Sequence, residues 1–254
     1  HDIDWLTAHI HADEDVHIKS LTNDQTTLVL AGPKARDVLS SCARGDWSQK
    51  AFPWLSVREA FVGFAPSTVL AVSFSGELAY EIHVPNASLY AAYLVLREAG
   101  KAHGMQLFGA RAVDAMRIEK GFLHWKADLL TEFDPFETSL DRFVRLEKGD
   151  FIGRDALVQR QAKGPSKRLV TLEIATTEAP AHSGASVMMD DKVVGTITSG
   201  AWGHRVDKNL AYAFVDLVVA EPKVMLEVDM CGMLVSATVI QASPYDLSNE
   251  LMRR

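Results

Sequence analysis

Two carboxylates, Glu77 and Glu81, lie in the stretch SFSGELAYEIHV, whose other residues are mostly those of a buried strand. Because side chains alternate between the two faces of a strand, Glu81 points away from the apolar face that carries Tyr80 and Ile82. Such a carboxylate is either a surface acid or a group that serves a ligand. The strand alone leaves both readings open.

Arg111 is the candidate partner of Glu81, because it opens a predicted helix directly after Phe108-Gly109-Ala110. An acid on a strand and an arginine near a helix start could face one pocket. A carboxylate in a dry cleft suits a heterocycle with two adjacent N–H donors, such as the edge of a pterin, since both oxygens accept hydrogen bonds. A structural Arg–Glu ion pair would use the same geometry, so this alternative also stays open.

The helix that Arg111 opens leads into the stretch MRIEKGFLHWKADL. Arg117, Glu119 and Lys120 are predicted to be solvated charges on the helix surface, the common fate of such runs. Gly121 is predicted to end the helix.

Aromatic and acidic residues cluster in the loop that follows, namely Phe122, His124, Trp125 and Asp128. Aromatic side chains in loops more often bind or pack than stay free in solvent, which favours a binding role for this loop. His124 has neither a nucleophile nor a second histidine at metal-ligand spacing. The sequence therefore predicts no metal site and assigns no catalytic residue.

Composition sets the class of protein. Of 254 residues, 48% are apolar and 23% charged, as in ordinary globular chains. The formal net charge of −7 disfavours nucleic acid and anionic membranes as partners, and no apolar run approaches the length of a membrane span. Cys42 and Cys231 form no CxxC or Cys/His spacing. We predict a cytoplasmic protein in a reducing compartment, or one of the mitochondrial matrix if the source is eukaryotic.

The chain is predicted to be α+β. Helices are predicted over Asp2–Ile10, after Gly32-Pro33 with the proline at the first helical position, from Pro85 to Gly100, and over Gly109–Ile118; strands are predicted over Thr26–Ala31, Val69–Val72 and Ala79–Val84. From about Lys167, short β runs alternate with turns such as Asp190-Asp191 and Cys231-Gly232. The polar residues 159–167 are the predicted linker to this all-β module.

Several stretches together resemble the aminomethyltransferase (glycine cleavage T-protein) superfamily, most closely the C-terminal folate-binding region of sarcosine and dimethylglycine dehydrogenases. They lie in family order over nearly the whole chain: LVLAGPKARDVL, AFPWLSVREAFVG, VSFSGELAYEIHVP, FGARAVDAMRIEKGFLHWKADL, PFETSLDRFVRLEKGDFIGRDAL and VVGTITSGAWGHRVDKNLAYAFV. The resemblance implies a folate-binding aminomethyltransferase-like domain over residues 1–160, without the N-terminal part of the family fold, and a small C-terminal β-barrel over residues 165–254.

The resemblance also implies a set of ligand-binding residues for tetrahydrofolate. Glu81 would accept hydrogen bonds from the pterin ring, and Arg111 would contact the folate. Phe74 stands where many members of the family have a tyrosine that lines the pocket. This chain departs from the family there, because phenylalanine lacks the hydroxyl. Trp125 and Asp128 match a loop that borders the same channel.

A second departure is the absence of the segment that in the family precedes the equivalent of His1 and carries a catalytic aspartate. The function implied is a tetrahydrofolate-dependent one-carbon transfer module that takes a methylene or aminomethyl unit from an N-methylated amine or aminomethyl donor. The alternatives are a stand-alone aminomethyltransferase or folate-dependent demethylase, and a non-enzymatic folate-binding module. The partner would be an upstream flavin domain, which alone would bring FAD, or a lipoyl carrier protein.

Overall fold

A computed structural model describes residues 2–241 and 244–254 of the chain. The chain divides into two compact units. The first contains the chain up to Ser73 together with Leu78–Gln106 and Met252–Arg254, and the second contains Phe74–Glu77 and Leu107–Leu251.

The first unit is an antiparallel sheet covered by helices. Its elements are α1 (Asp2–Ala8), β1 (Gln25–Ala31), α2 (Ala35–Cys42), β2 (Val57–Val62), β3 (Ala65–Leu70), β4 (Ala79–Pro85) and α3 (Leu89–Lys101). The strands lie in the order β1-β4-β3-β2, so β4 has a neighbour on both sides. Helices α2 and α3 pack on one face, where apolar side chains such as Leu39, Tyr80 and Ile82 are fully buried. This one-sided core explains the alternating burial along β4.

The second unit is built around a closed β-barrel. Its elements are α4 (Ala110–Lys120), α5 (Arg154–Lys163), β5 (Lys167–Ile174), β6 (Ser186–Met189), β7 (Lys192–Gly203), β8 (Lys208–Asp216), β9 (Met225–Asp229) and β10 (Leu234–Ile240). The strands close in the order β10-β5-β8-β7-β6-β9. One apolar cluster fills the barrel. A second cluster packs Ile118 of α4 against Leu210, Tyr212 and Phe214 on the alternate face of β8.

The α+β class and the C-terminal barrel are therefore confirmed. The turn residues explain two of the hairpins, because Asp190 and Asp191 both have positive φ (48° and 60°), as do Cys231 and Gly232 (57° and 92°). Two consecutive residues with positive φ produce a tight turn whose twist matches the strands that it joins.

Three local predictions need correction. Helix α2 begins at Ala35 with Lys34 as its N-cap, so Pro33 lies before the helix and not at its first position. Residues 159–163 of the predicted linker form the end of α5, and residues 164–166 alone connect it to β5. Strand β3 begins at Ala65 and ends at Leu70, earlier than predicted. The domain boundary between residues 160 and 165 stays a prediction.

Candidate functional site

Glu81 lies in the middle of the first unit's sheet. It pairs with Val29 of β1 and with Leu70 of β3, and its neighbours Tyr80 and Ile82 are fully buried on the helix-covered face. Glu81 therefore lies on the opposite face, as the alternation predicts. Its side chain is 36% exposed, so the carboxylate is accessible to a ligand on that face.

His83 shares this face with Glu81. The side-chain atoms His83 Nε2 and Glu81 Oε2 are 3.2 Å apart. The hydroxyl oxygen of Thr27 on β1 lies 3.1 Å from His83 Nδ1. These contacts fix the orientation of the imidazole beside the carboxylate. The alternation of side chains along β4 also places His83 on this face.

Arg111 is the second residue of α4 in the second unit, and it is exposed. Its guanidinium is thus available to an anionic group. The helix that carries it is held at the other end by Gly121, whose positive φ of 82° lets its N–H reach the carbonyls of Arg117 and Ile118. This left-handed cap ends α4, as predicted.

Phe74 belongs to the second unit and packs beside the loop that follows α4. Its ring is stacked on Phe122 with centroids 6.2 Å apart and an angle of 6° between the planes, and the His124 ring lies 6.4 Å from it. Phe74 is 37% exposed and Trp125, in the same loop, is 60% exposed. These four side chains, from here on called the aromatic wall, present apolar ring surface to solvent, which suits the flat face of a heterocycle.

Asp128 closes this loop and is fully buried. Its Oδ2 accepts hydrogen bonds from Arg117 Nη1 at 2.6 Å and from the His124 backbone N–H at 2.8 Å. Its Oδ1 accepts from the hydroxyls of Thr198 at 2.5 Å and Ser199 at 2.6 Å. Each oxygen of this carboxylate thus has two donors, which compensates for its removal from water.

The prediction that Arg117, Glu119 and Lys120 are surface charges is wrong. These residues are 3%, 1% and 6% exposed, and the ring of Tyr212 lies 5.5 Å from the Arg117 guanidinium. They are buried because the last turn of α4 packs against the barrel, and Glu119 and Lys120 have partners from distant parts of the chain. Lys120 Nζ, for example, lies 3.1 Å from Asp246 Oδ2.

Glu119 belongs to a second buried network centred on Arg205. The Arg205 backbone N–H donates to Glu119 Oε1 at 2.6 Å, and its Nε donates to the other oxygen. Arg205 Nη1 lies 2.7 Å from Glu77 Oε1, which also accepts from the Tyr245 hydroxyl at 2.5 Å. Burial alone would lower the pKa of Arg205, but its bonds to Glu119 and Glu77 outweigh this and raise it. Glu77 therefore belongs to an ion-pair network and not to the face that carries Glu81.

Three charges stand within four residues at the end of α4, directly before the glycine that ends the helix. The partners of Glu119 and Lys120 could not be identified from this pattern, because residues 205 and 246 lie far along the chain.

The described part of the chain brings together no group of three or more His, Cys, Asp or Glu side chains that could hold a metal ion. Within residues 2–241 and 244–254, no helix is both long and apolar enough to cross a membrane.

Two family models match the chain. The GCVT N-terminal domain matches residues 1–148, and the glycine cleavage T-protein C-terminal barrel domain matches residues 167–246. The second match coincides with the barrel strands β5 to β10.

Curated relatives fall into two groups. The chain is 35% identical over 243 residues to human mitochondrial dimethylglycine dehydrogenase and 31% identical over 241 residues to mouse mitochondrial sarcosine dehydrogenase. These alignments cover 95% and 91% of this chain but only 28% and 26% of the relatives. An aminomethyltransferase of Caldanaerobacter subterraneus is 29% identical over 230 residues, which cover 91% of this chain and 61% of that protein.

A solved structure agrees with the fold. The crystal structure of the glycine cleavage system aminomethyltransferase T from Bartonella henselae superposes with a TM-score of 0.76 at 23% identity, covering 86% of this chain and 59% of that one. At this identity the likeness shows the fold alone.

Proposed function

Because the chain belongs to the aminomethyltransferase (glycine cleavage T-protein) family, we propose that it is a tetrahydrofolate-dependent one-carbon transfer module. The observation that carries this proposal is the 35% identity to human dimethylglycine dehydrogenase over 95% of this chain. The chain spans 28% of that relative's length, so the activity of the whole protein is part of the proposal.

Glu81 is proposed to bind the pterin ring. It is fixed on a central strand, and its carboxylate is partly exposed on the face opposite to the core. Two carboxylate oxygens match two adjacent N–H donors of a pterin edge, and this bidentate geometry gives both affinity and orientation.

Arg111, Phe74 and Trp125 are the other proposed contacts. Arg111 offers an exposed cation for the carboxylate end of the ligand. The exposed ring faces of Phe74 and Trp125 offer stacking surface. Each carboxylate oxygen of Asp128 accepts two hydrogen bonds within its own unit, so we assign Asp128 to holding the loop in place, where the resemblance puts it at the border of the ligand channel.

The proposed reaction transfers one carbon at the oxidation level of formaldehyde. An iminium carbon from an N-methylated amine is captured by the two folate nitrogens, giving methylenetetrahydrofolate, the free amine and a proton. The residues of this chain bind and orient the reactants. This positioning is the main source of the rate acceleration for such a transfer. We assign the proton transfer to no residue of this chain.

We favour a module of a sarcosine or dimethylglycine dehydrogenase-like protein, in which an accompanying flavin domain would bind FAD and oxidise the amine. A stand-alone aminomethyltransferase is the second candidate, because the alignment with the Caldanaerobacter protein covers 61% of that shorter relative. Its partner would be a lipoyl carrier protein. A folate-dependent demethylase and a non-enzymatic folate-binding module are the remaining alternatives.

The test is a titration of the 254-residue chain with tetrahydrofolate by calorimetry, followed by a turnover assay with formaldehyde, which is already at the oxidation level of the transferred carbon. We expect saturable binding with one ligand per chain and faster formation of methylenetetrahydrofolate than in buffer. Binding without acceleration would favour the non-enzymatic module. Absence of binding would contradict the proposed function.

A further inference from the structure

Two consecutive side chains of strand β7 donate hydrogen bonds to the same carboxylate oxygen. Thr198 and Ser199 both donate to Asp128 Oδ1, at 2.5 Å and 2.6 Å. In a regular strand, consecutive side chains point to opposite faces. Here the pairing of β7 with β8 shifts register between Ile197 and Ser199, so a β-bulge lies at this place. A bulge redirects a side chain, which explains how both hydroxyls reach one oxygen.

The other oxygen of Asp128 holds the loop and its helix. Its Oδ2 accepts from the backbone N–H of His124, the first residue of the turn that Asp128 closes. It also accepts from Arg117, whose Nη1 lies 3.3 Å from the Phe122 carbonyl. Asp128 thus connects the barrel strand to both ends of the segment from residue 122 to residue 128.

This segment carries three of the four rings in the aromatic wall. Phe122 stacks on Phe74, and the exposed Trp125 follows His124, whose backbone N–H donates to Asp128. The segment also has backbone hydrogen bonds of its own, because the His124 carbonyl accepts from the N–H groups of Ala127, Asp128 and Leu129 at 3.2, 2.9 and 3.3 Å. These bonds form a turn, and the Asp128 side chain joins that turn to the barrel strand and to Arg117.

We propose that Thr198 and Ser199 are positioning residues of the ligand site, which act through Asp128 to fix the aromatic wall. The barrel strand then does more than support the fold, because its bulge sets the orientation of the ring surfaces. This proposal rests on the proposed function for its ligand, but its structural part concerns the ligand-free chain.

A purely structural role makes a different prediction. Thr198 is 7% exposed and Asp128 is fully buried, so loss of the hydroxyls will lower stability in either case. If stability were the only role of the two hydroxyls, their removal would destabilise the barrel as a whole, and the ligand affinity of the folded protein would stay unchanged.

The experiment compares four variants of the 254-residue chain: Thr198→Val, Ser199→Ala, the double variant and Thr198→Ser. The last keeps the hydroxyl and serves as the conservative rescue. Thr238→Val on β10 is the matched control, since its hydroxyl donates to Met225 Sδ in the same barrel and makes no bond to Asp128. Hydrogen exchange of residues 121–129 is measured without ligand, and tetrahydrofolate affinity is measured by titration at a temperature where every variant is folded.

In the double variant we expect exchange in residues 121–129 to rise about tenfold, with β8 unchanged, and tetrahydrofolate affinity to fall about tenfold. Thr198→Ser and Thr238→Val should behave like the wild type. Unchanged exchange in the segment would overturn the proposal. Faster exchange with unchanged affinity would also overturn it, because the wall would then not serve the ligand. If the wild type itself does not bind, the proposed function fails, while the exchange data still test whether the hydroxyls fix the segment.

Discussion

On the accessible face of β4, His83 Nε2 lies 3.2 Å from Glu81 Oε2, and the two side chains are 31% and 36% exposed. Residues two apart on a strand share a face, so this pair follows directly from the sequence order. The imidazole contacts one oxygen of the carboxylate and leaves the carboxylate partly exposed. A fixed and accessible carboxylate is what recognition of a donor pair requires, because little rotamer entropy is then lost on binding.

Replacing Arg111 by Ala tests the proposed contact with the charged end of the ligand. We expect a loss of tetrahydrofolate affinity smaller than that caused by changes at Glu81, because an exposed cation is screened by solvent. The salt dependence of the affinity should also decrease. Titrations at low and high salt measure both effects.

Arg97→Ala on α3 is the control for Arg111→Ala, since Arg97 is also exposed and its loss changes the net charge equally. Equal affinity of the wild type and Arg111→Ala, together with lower thermal stability of the variant, would mean that Arg111 serves the fold and not the ligand.

Replacing Arg205 by Met tests the buried network of the second unit. Glu119 is 1% exposed and would lose the cation that compensates for its burial. We expect the free energy of unfolding to fall by about 3–5 kcal/mol, the usual cost of removing one partner of a buried ion pair. Urea denaturation followed by circular dichroism measures the change.

The matched control for Arg205→Met is Lys101→Ala, which removes an exposed pair whose side chains are 66% and 74% exposed. That change should cost less than about 1 kcal/mol. Similar losses in both variants would show that the Arg205 network adds no more than a surface ion pair.

The two cysteines should react at different rates. Burial raises the pKa of the Cys42 thiol to about 11, whereas Cys231 is exposed. At pH 8 the thiolate fraction of Cys42 should therefore be about a hundredfold below that of an ordinary thiol. A thiol-specific chromogenic reagent should label one thiol of the folded chain rapidly and the second slowly.

The variant Cys231→Ser should abolish the fast phase of labelling, and urea should make both thiols of the wild type react quickly. Equal rates in the folded wild type would contradict the burial of Cys42.

The sequence predicts those features that depend on local periodicity. Alternation placed Glu81 opposite to the core, and paired turn residues at 190–191 separated β6 from β7. The burial of Arg117 could not be predicted from the helix alone, since the barrel that covers it begins about fifty residues later. The two hydrogen bonds from Thr198 and Ser199 to Asp128 could not be predicted either, because they require a β-bulge that no residue type in the strand indicates.

The carboxylate of Glu81 is the central contact of the proposed ligand site. Its test is the tetrahydrofolate affinity of Glu81→Gln, measured by calorimetry beside His83→Gln and the wild type. The amide replaces one acceptor with a donor that would face the donors of the pterin, so we predict that Glu81→Gln lowers affinity more than about tenfold, while His83→Gln has a smaller effect. Equal affinity of Glu81→Gln and the wild type would contradict the central claim.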